Sequence, residues 1–395
     1  MAPGRRTAVV SVGYTVLGVL PLFLISSQSV QLQREFGFDT AQLGLAVSIC
    51  FVASAIAANV LSRVVPRIGP SAGFKLSALL SLSALLWMVT VASRWWHIAV
   101  ALVLCGVANA TSQVASNVAL AGGVPAERHG LAFGAKQAAV PLASLTAGLM
   151  LPAVALLAGW RAAFIGTAVV VLGAVIYKPR LTARPPQPGG SSSGRPTALL
   201  VLLALAGLLG GTMGNSLPAF TVDSAAARGI GEGSAGVLLA VGSAASVLVR
   251  LAAGWIADRR RSSGLTELTA LMAVGILSFG LLAASEGHDL IFAVGIVAGF
   301  AGAWGWQGLI YSAAVHTHPG MPAAATGFIL STIYVGHVLG PVTIGLLAEH
   351  RSYTHAWIVA CGALVLATAA GLRARSLEQP GGSAAYSPAS DPVGS

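Results

Sequence analysis

A chain of 395 residues in which only 9% are charged and 55% hydrophobic, with mean hydropathy +0.81, cannot cover itself as an ordinary soluble domain, which carries about 25% charged residues. Its formal charge of +10 and pI near 10.3 raise nucleic-acid binding as a class, and the positions of the charges decide against it below. The cysteines Cys50, Cys105 and Cys361 all fall in apolar runs without metal-ligand spacing, so they read as small core residues rather than a disulfide framework.

Apolar stretches of about 20 residues, enough to cross a hydrocarbon core of about 30 Å, lie at approximately 8–28, 42–62, 73–93, 97–120, 131–157, 160–177, 197–218, 234–256, 266–285, 289–312, 325–347 and 353–373. Arg5-Arg6 before the first run resembles a signal peptide, but the run is too long and no small-residue cleavage site follows, so it reads as a span. The many glycines suit closely packed, unbroken membrane helices. The expected organisation is an all-α integral membrane protein with a six-helix bundle over 1–178 and a second over 197–375. A Pro-, Gly-, Ser- and Arg-rich linker at 179–196 joins them, and 376–395 has the composition of a disordered tail.

The halves match at a constant offset of 192 residues. Gly37-Phe38 and Gly44 precede a long apolar run ending at Arg67, and Gly229-Ile230 and Gly236 precede another ending at Arg259. Duplicated helix bundles that hold substrate between the repeats are a common architecture of secondary transporters.

With the N-terminus inside, Arg5, Arg6, Arg63, Arg67, Lys75, Arg128, Lys178, Arg180, Arg184, Arg195, Arg259, Arg260, Arg261, Arg373 and Arg375 fall on the cytoplasmic side. Only Arg34, Arg94, Arg161, Arg228 and Arg351 fall outside. This asymmetry sets both termini in the cytoplasm of a cytoplasmic-membrane protein and explains the basic balance without nucleic acid.

Polar residues inside the spans mark the candidate cavity. Asn109, Gln113 and Asn117 recur every four residues on the fourth span, and Trp304, Gln307 and Tyr311 recur at three and four on the tenth. They face either a central cavity or helix partners, since amides facing lipid are costly. Two cations lie well inside spans: Lys136, roughly 9 Å from the start of the fifth, and Arg250, roughly 12 Å before Asp258 in the eighth. Neither has an evident carboxylate partner, so an anionic substrate would compensate them. Snorkelling of Lys136 and helix-end bonding by Arg250 remain open alternatives. His337 is the one group inside a span suited to titrate near neutral pH, and so the candidate coupling residue. No Asp or Glu lies clearly within a span, since Asp223 and Asp289 stand near outer helix ends.

Gly254-Trp255-Ile256-Ala257-Asp258-Arg259-Arg260 resembles the loop signature of the major facilitator superfamily, and Gly159-Trp160-Arg161 with Phe164 is similar to its sixth-helix start. Together with twelve spans, a basic central linker and cytoplasmic termini, the resemblance to a bacterial-type member covers nearly the whole chain. It implies that the fourth and tenth spans line the central cavity, that the fifth and eighth pack between the halves, and that Gly254, Asp258, Arg259 and Arg67 form a cytoplasmic latch. Ser62 and Pro66 stand where the family has Gly and Asp in the first half, so the latch is expected to be asymmetric. Arg250, four residues before Gly254, resembles a substrate-carboxylate arginine of monocarboxylate transporters. Ser246 replaces that branch's Asp, which puts its proton-coupling role in doubt, and the separated Gly148 and Pro152 give no support for antiport.

The sequence shows no paired intramembrane Asp, no nucleophile elbow placed with a His, and no phosphate-binding Gly loop with Lys, so an enzyme is not expected. No cofactor or metal is expected either. The leading expectation is a monomeric alternating-access transporter of a small organic anion, with protons as candidate coupling ion. Its site would be built from Arg250, Lys136, Asn109, Gln113, Asn117, Trp304, Gln307 and Tyr311. The alternative is an exporter of amphipathic drugs or metabolites with Trp304 and Tyr311 as an aromatic platform.

Overall fold

The computed structural model describes residues 3–124, 129–177, 179, 181, 196–260, 263–318 and 321–378, with the side chains of 3, 129–131, 257, 258, 260, 322 and 323 outside the description. Most of the expected linker, nearly all of the expected tail and the Asp258 side chain of the expected latch therefore lie outside the described residues.

The described residues are built almost wholly of helices. In the first half they are α1 (Pro3–Ser27), α2 (Ser29–Phe36), α3 (Thr40–Ile68), α4 (Pro70–Thr90), α5 (Trp95–Gly123), α6 (His129–Met150), a π-helical turn (Leu151–Ala155), α7 (Leu156–Ala158) and α8 (Trp160–Ile176). In the second they are α9 (Ala198–Gly214), α10 (Ser216–Ala227), α11 (Glu232–Arg260), α12 (Leu265–Ala283), α13 (Asp289–Ala301), α14 (Gln307–Thr317), α15 (Pro322–His350) and α16 (Tyr353–Ser376). Among the described residues, ten helical stretches are long and apolar enough to cross a membrane, and the shorter Trp160–Ile176 and Asp289–Ala301 are apolar too. Val169, Leu157, Leu248, Leu290 and Ile176 stand exposed on the outer faces, as side chains bathed in acyl chains would.

The repeat seen in sequence is also a repeat in space. α3 and α11 are each 29 residues long and begin and end at the same offset of 192. Gly37 and Gly229 both adopt positive φ, 66° and 83°, at the turns just before them, where a side chain would be strained. α3 packs on α15 and α11 on α6, joining the halves. At these crossings Gly44 lies against the Pro341 carbonyl and Gly236 against that of Gly148, so closely that a Cβ would come within 2.2 and 2.7 Å of the respective oxygens. Small residues at helix crossings let backbones approach without side chains between them.

One expectation fails. The tenth span is not a continuous helix: α13 ends at Ala301 and α14 begins at Gln307, with Gly302 to Trp306 forming turns between them. Trp304 therefore does not sit on one unbroken helical face with Gln307 and Tyr311, which share α14. Packing explains the break. A Cβ on Gly302 would lie 2.7 Å from the Gly275 nitrogen and the Leu271 carbonyl, and one on Gly214 would lie 2.3 Å from the Ala303 carbonyl. The segment is thus pressed between α12 and the end of α9, while the fully buried Trp304 and Trp306 fill the space on either side. Backbone groups released by such a break must find other partners inside a membrane. Here the Trp306 indole donates to Ala303 O at 2.7 Å and Arg250 donates to Trp304 O at 2.6 Å.

Candidate functional site

Arg250 is the centre of the site. It reaches from α11 to three other segments: Nη1 donates to Gln137 O of α6 at 2.9 Å, and Nη2 donates to Trp304 O and to Gln307 Oε1 at 2.6 and 3.2 Å. Its guanidinium also lies 5.2 Å from the Trp304 ring centre, a cation–π contact. The side chain is buried, and neither of the two ion pairs among the described residues involves it.

Gln307 links Arg250 to His337. Arginine can only donate, so the amide oxygen must face Arg250, which leaves the amide nitrogen 3.2 Å from His337 Nε2. Nε2 is then the acceptor and the proton of the neutral ring lies on Nδ1. That Nδ1 has no hydrogen-bond partner, and the same is true of Arg250 Nε and Trp304 Nε1. Three buried N–H donors of this linked cluster thus lack acceptors among the described residues, where buried polar groups are ordinarily paired.

Aromatic rings border this cluster. Phe23 of α1 packs edge-on against Trp304 at 6.0 Å, Phe51 of α3 lies 5.0 Å from the His337 ring, and Tyr334 lies 6.0 Å from it. Tyr311 stands near Arg250 and Tyr334. Beside Phe23 and Phe51 lies only a crevice too small to admit a water molecule, with Ser26 and Asn215 among its lining residues.

The other sequence candidates are placed differently. Lys136, next in sequence to the Gln137 that Arg250 grips, is buried and makes no hydrogen bond or ion pair with a described residue. Asn109 donates to Ser54 Oγ at 3.4 Å and its Oδ1 is unpartnered. Along α5, exposure rises from buried Asn109 through half-buried Gln113 to exposed Asn117. These three amides form no hydrogen bond with the Arg250 cluster among the described residues. Gly254 has open space about it, Arg259 lies over the Trp255 ring of its own helix at 4.0 Å, and Arg67 is exposed in the last turn of α3. Neither arginine is in an ion pair among the described residues.

At the opposite end of the helices the halves are tied together, and sequence reasoning missed most of these ties. Arg34 pairs with Glu232 at 2.5 Å. The first N–H of α3, on Thr40, donates to Glu349 at the end of α15 at 3.1 Å, and the Thr40 hydroxyl donates to Asp223 of α10 at 3.1 Å. A carboxylate at a helix N-terminus is favoured by the orphan N–H groups and the macrodipole, so the second half caps a helix of the first. Within the first half, Trp160 and Arg161 of the Gly-Trp-Arg signature both bind Glu35, at 2.5 and 2.8 Å, which gives that motif a structural task. Deeper in, Ser48 donates to Val338 O and Ser243 to Ser144 across the same seams. The Arg250–Gln137 bond is the last tie toward the termini: Arg250 lies about 15 Å before the end of α11, and beyond it the described hydrogen bonds stay within one half.

Comparison with known proteins follows the same lines. Two solved structures, of a bacterial homologue of the human lysosomal transporter Spinster in inward-facing occupied and unoccupied conformations, superpose with TM-scores of 0.71 and 0.72 at 15% identity. They cover 95% and 94% of this chain and 97% of theirs, a likeness of fold. No curated protein matches in sequence. Residues 7–266 and 199–391 match the family model of the Major Facilitator Superfamily, and the chain accordingly belongs to that superfamily: it is a multi-pass membrane transporter and not an enzyme.

Proposed function

We propose that this transporter moves a small organic anion by alternating access, with the anionic group held where α13 gives way to α14. The observation that supports the reading is the set of three buried N–H donors without acceptors among the described residues, Arg250 Nε, Trp304 Nε1 and His337 Nδ1, near a guanidinium that has no carboxylate partner among them. Unpaired donors and positive charge are complementary to oxygen acceptors. Phe23, Phe51, Tyr311 and Tyr334 suit an apolar or aromatic body attached to that anion. Lys136, buried beside the same seam without a partner among the described residues, adds positive potential. His337 is a donor to the anion in this arrangement and the group that would hold a co-transported proton at the site.

The distribution of basic residues supports an orientation with the termini in the cytoplasm. In that orientation the tied end faces outward and the structure is inward-facing, with Asn109, Gln113 and Asn117 lining the way from the cytoplasm to the site. The expected latch of Gly254, Asp258, Arg259 and Arg67 belongs to the opposite state, in which the cytoplasmic ends meet. The halves 1–178 and 197–375 act as the two rocking bodies.

Thermal stabilisation of the purified protein across carboxylates, other organic anions, cationic drugs and neutral amphiphiles, at pH 6 and pH 8, tests the reading. Stabilisation by anions alone is the expected result, strongest at pH 6 if a proton accompanies the anion. Stabilisation by cationic or neutral amphiphiles alone would overturn it in favour of an exporter.

A further inference from the structure

Asp223 lies within the tied end, buried in α10, and its surroundings are unusual for a carboxylate. The Thr40 hydroxyl of α3 and the Tyr353 hydroxyl of α16 both donate to the same oxygen, Oδ2. The Gln33 amide of α2 faces the same carboxyl, and the charged group that adjoins it is another carboxylate, Glu349 at the end of α15. Among the described residues no cation lies within ion-pair distance of it: Arg34 is paired with Glu232, and Arg228, just past the end of α10, donates to Ser285 O and lies over the Phe292 ring. His350, next to Glu349, is exposed.

An ionised carboxyl enclosed without a cation is expensive, and such a group is ordinarily neutral or compensated. Oδ1 receives no hydroxyl or cation and is the oxygen left to carry a hydrogen; the donors from Thr40, Tyr353 and Gln33 favour the carboxylate, and enclosure beside Glu349 without a cation opposes it. The enclosure exists only while this end is shut, since Thr40 belongs to the other half of the molecule. Separating the halves removes Thr40 and admits water, and a hydrated carboxylate is then at no disadvantage.

We propose that Asp223 is a proton-binding site whose occupation accompanies closure of the end opposite the termini. On closure one proton from water on that side bonds to Oδ1; on opening the O–H bond breaks and the proton returns to the same side. Closing this end and binding a proton are therefore the same event, whatever substrate is carried. By linkage, one proton changes the ratio of closed to open molecules by up to about tenfold per pH unit. Low pH favours the closed end and high pH the open one.

The test is a distance measurement on the full chain without added substrate, using spin labels at Ser93 and Glu286, exposed positions on the α4–α5 and α12–α13 turns of this end. The wild type is expected to populate a longer distance as pH rises from 5 to 9. Asp223→Asn, which keeps the carbonyl acceptor for Thr40 and Tyr353 and cannot ionise, is expected to stay at the short distance throughout. A pH response in Asp223→Asn equal to that of the wild type, or no response in the wild type, overturns the proposal. Infrared spectroscopy gives a reading that does not depend on the Asn variant folding. A carboxylic-acid C=O band is expected in the closed wild type and is expected to shift in Tyr353→Phe, which retains the carboxyl and loses one donor. A band unmoved by Tyr353→Phe, or absent from the closed wild type, would also overturn it.

Discussion

Gly44 supplies the sharpest test of how the closed end is held. A Cβ at this position would stand 2.2 Å from the Pro341 carbonyl oxygen and 3.0 Å from its carbon, whereas ordinary contact begins at 3.4 Å. The obstacle is backbone in the middle of α15, which cannot turn aside as a side chain can, so α3 and α15 must part by roughly 1 Å. Overpacking of this kind costs about 1–3 kcal/mol. Because the crossing exists only when the halves meet at this end, most of that cost falls on the closed state. Gly44→Ala should then shift the balance toward molecules open at this end by about 5- to 150-fold. The Ser93–Glu286 spin-label distance reads the shift directly. Gly236→Ala, whose Cβ would meet Gly148 O at 2.7 Å, should act in the same direction and more weakly. Gly280→Ala is the control, since nothing lies within 4 Å of its Cβ. A distance distribution in Gly44→Ala indistinguishable from that of Gly280→Ala would refute the claim that this backbone contact governs closure.

Arg250→Gln should abolish anion-induced stabilisation, and by removing donors to Gln137 O and Trp304 O it should also lower melting temperature; Arg250→Lys should recover stability only in part, because one ammonium cannot span three segments. Normal anion binding by an expressed Arg250→Gln protein would end the anion reading. Arg34→Gln should change the Ser93–Glu286 distribution by less than about fivefold: with Arg34 71% exposed, the pair is worth about 0–1 kcal/mol. Thr197→Ala should destabilise the protein by about 1 kcal/mol, since it removes both the N-cap of α9 on Leu200 and the bond to His318. Chemical denaturation would detect that loss, and no loss would mean that water replaces the cap.

How much of this molecule could be read from its sequence depends on the kind of information involved. Helices spanning a membrane follow from local composition, because each must satisfy its own backbone bonds and face lipid. The duplication followed from glycine positions alone, and α3 and α11 proved to share both ends at the same offset. Arg250 and Lys136 could be singled out because a cation in an apolar run is conspicuous wherever it points. The positive-φ glycines at 37 and 229 were marked by the same repeat.

The remainder required the folded chain. α5 runs unbroken while its counterpart divides into α13 and α14, and no local signal separated the two, because glycines also fill the unbroken helices. Contact with α12 and α9 decided the matter by pressing the Gly302–Trp306 segment where a regular helix would not fit. Asp223 was discounted as a group near a helix end, yet Thr40, Tyr353 and Glu349, from 130 or so residues away to the other half of the chain, enclose it. Composition and spacing determine which segments cross the membrane and which residues are costly there, since those are properties of one helix in lipid. Which costly residues meet, and at which end the halves close, is decided only in the tertiary structure, because the partners that pay their desolvation come from helices distant in sequence.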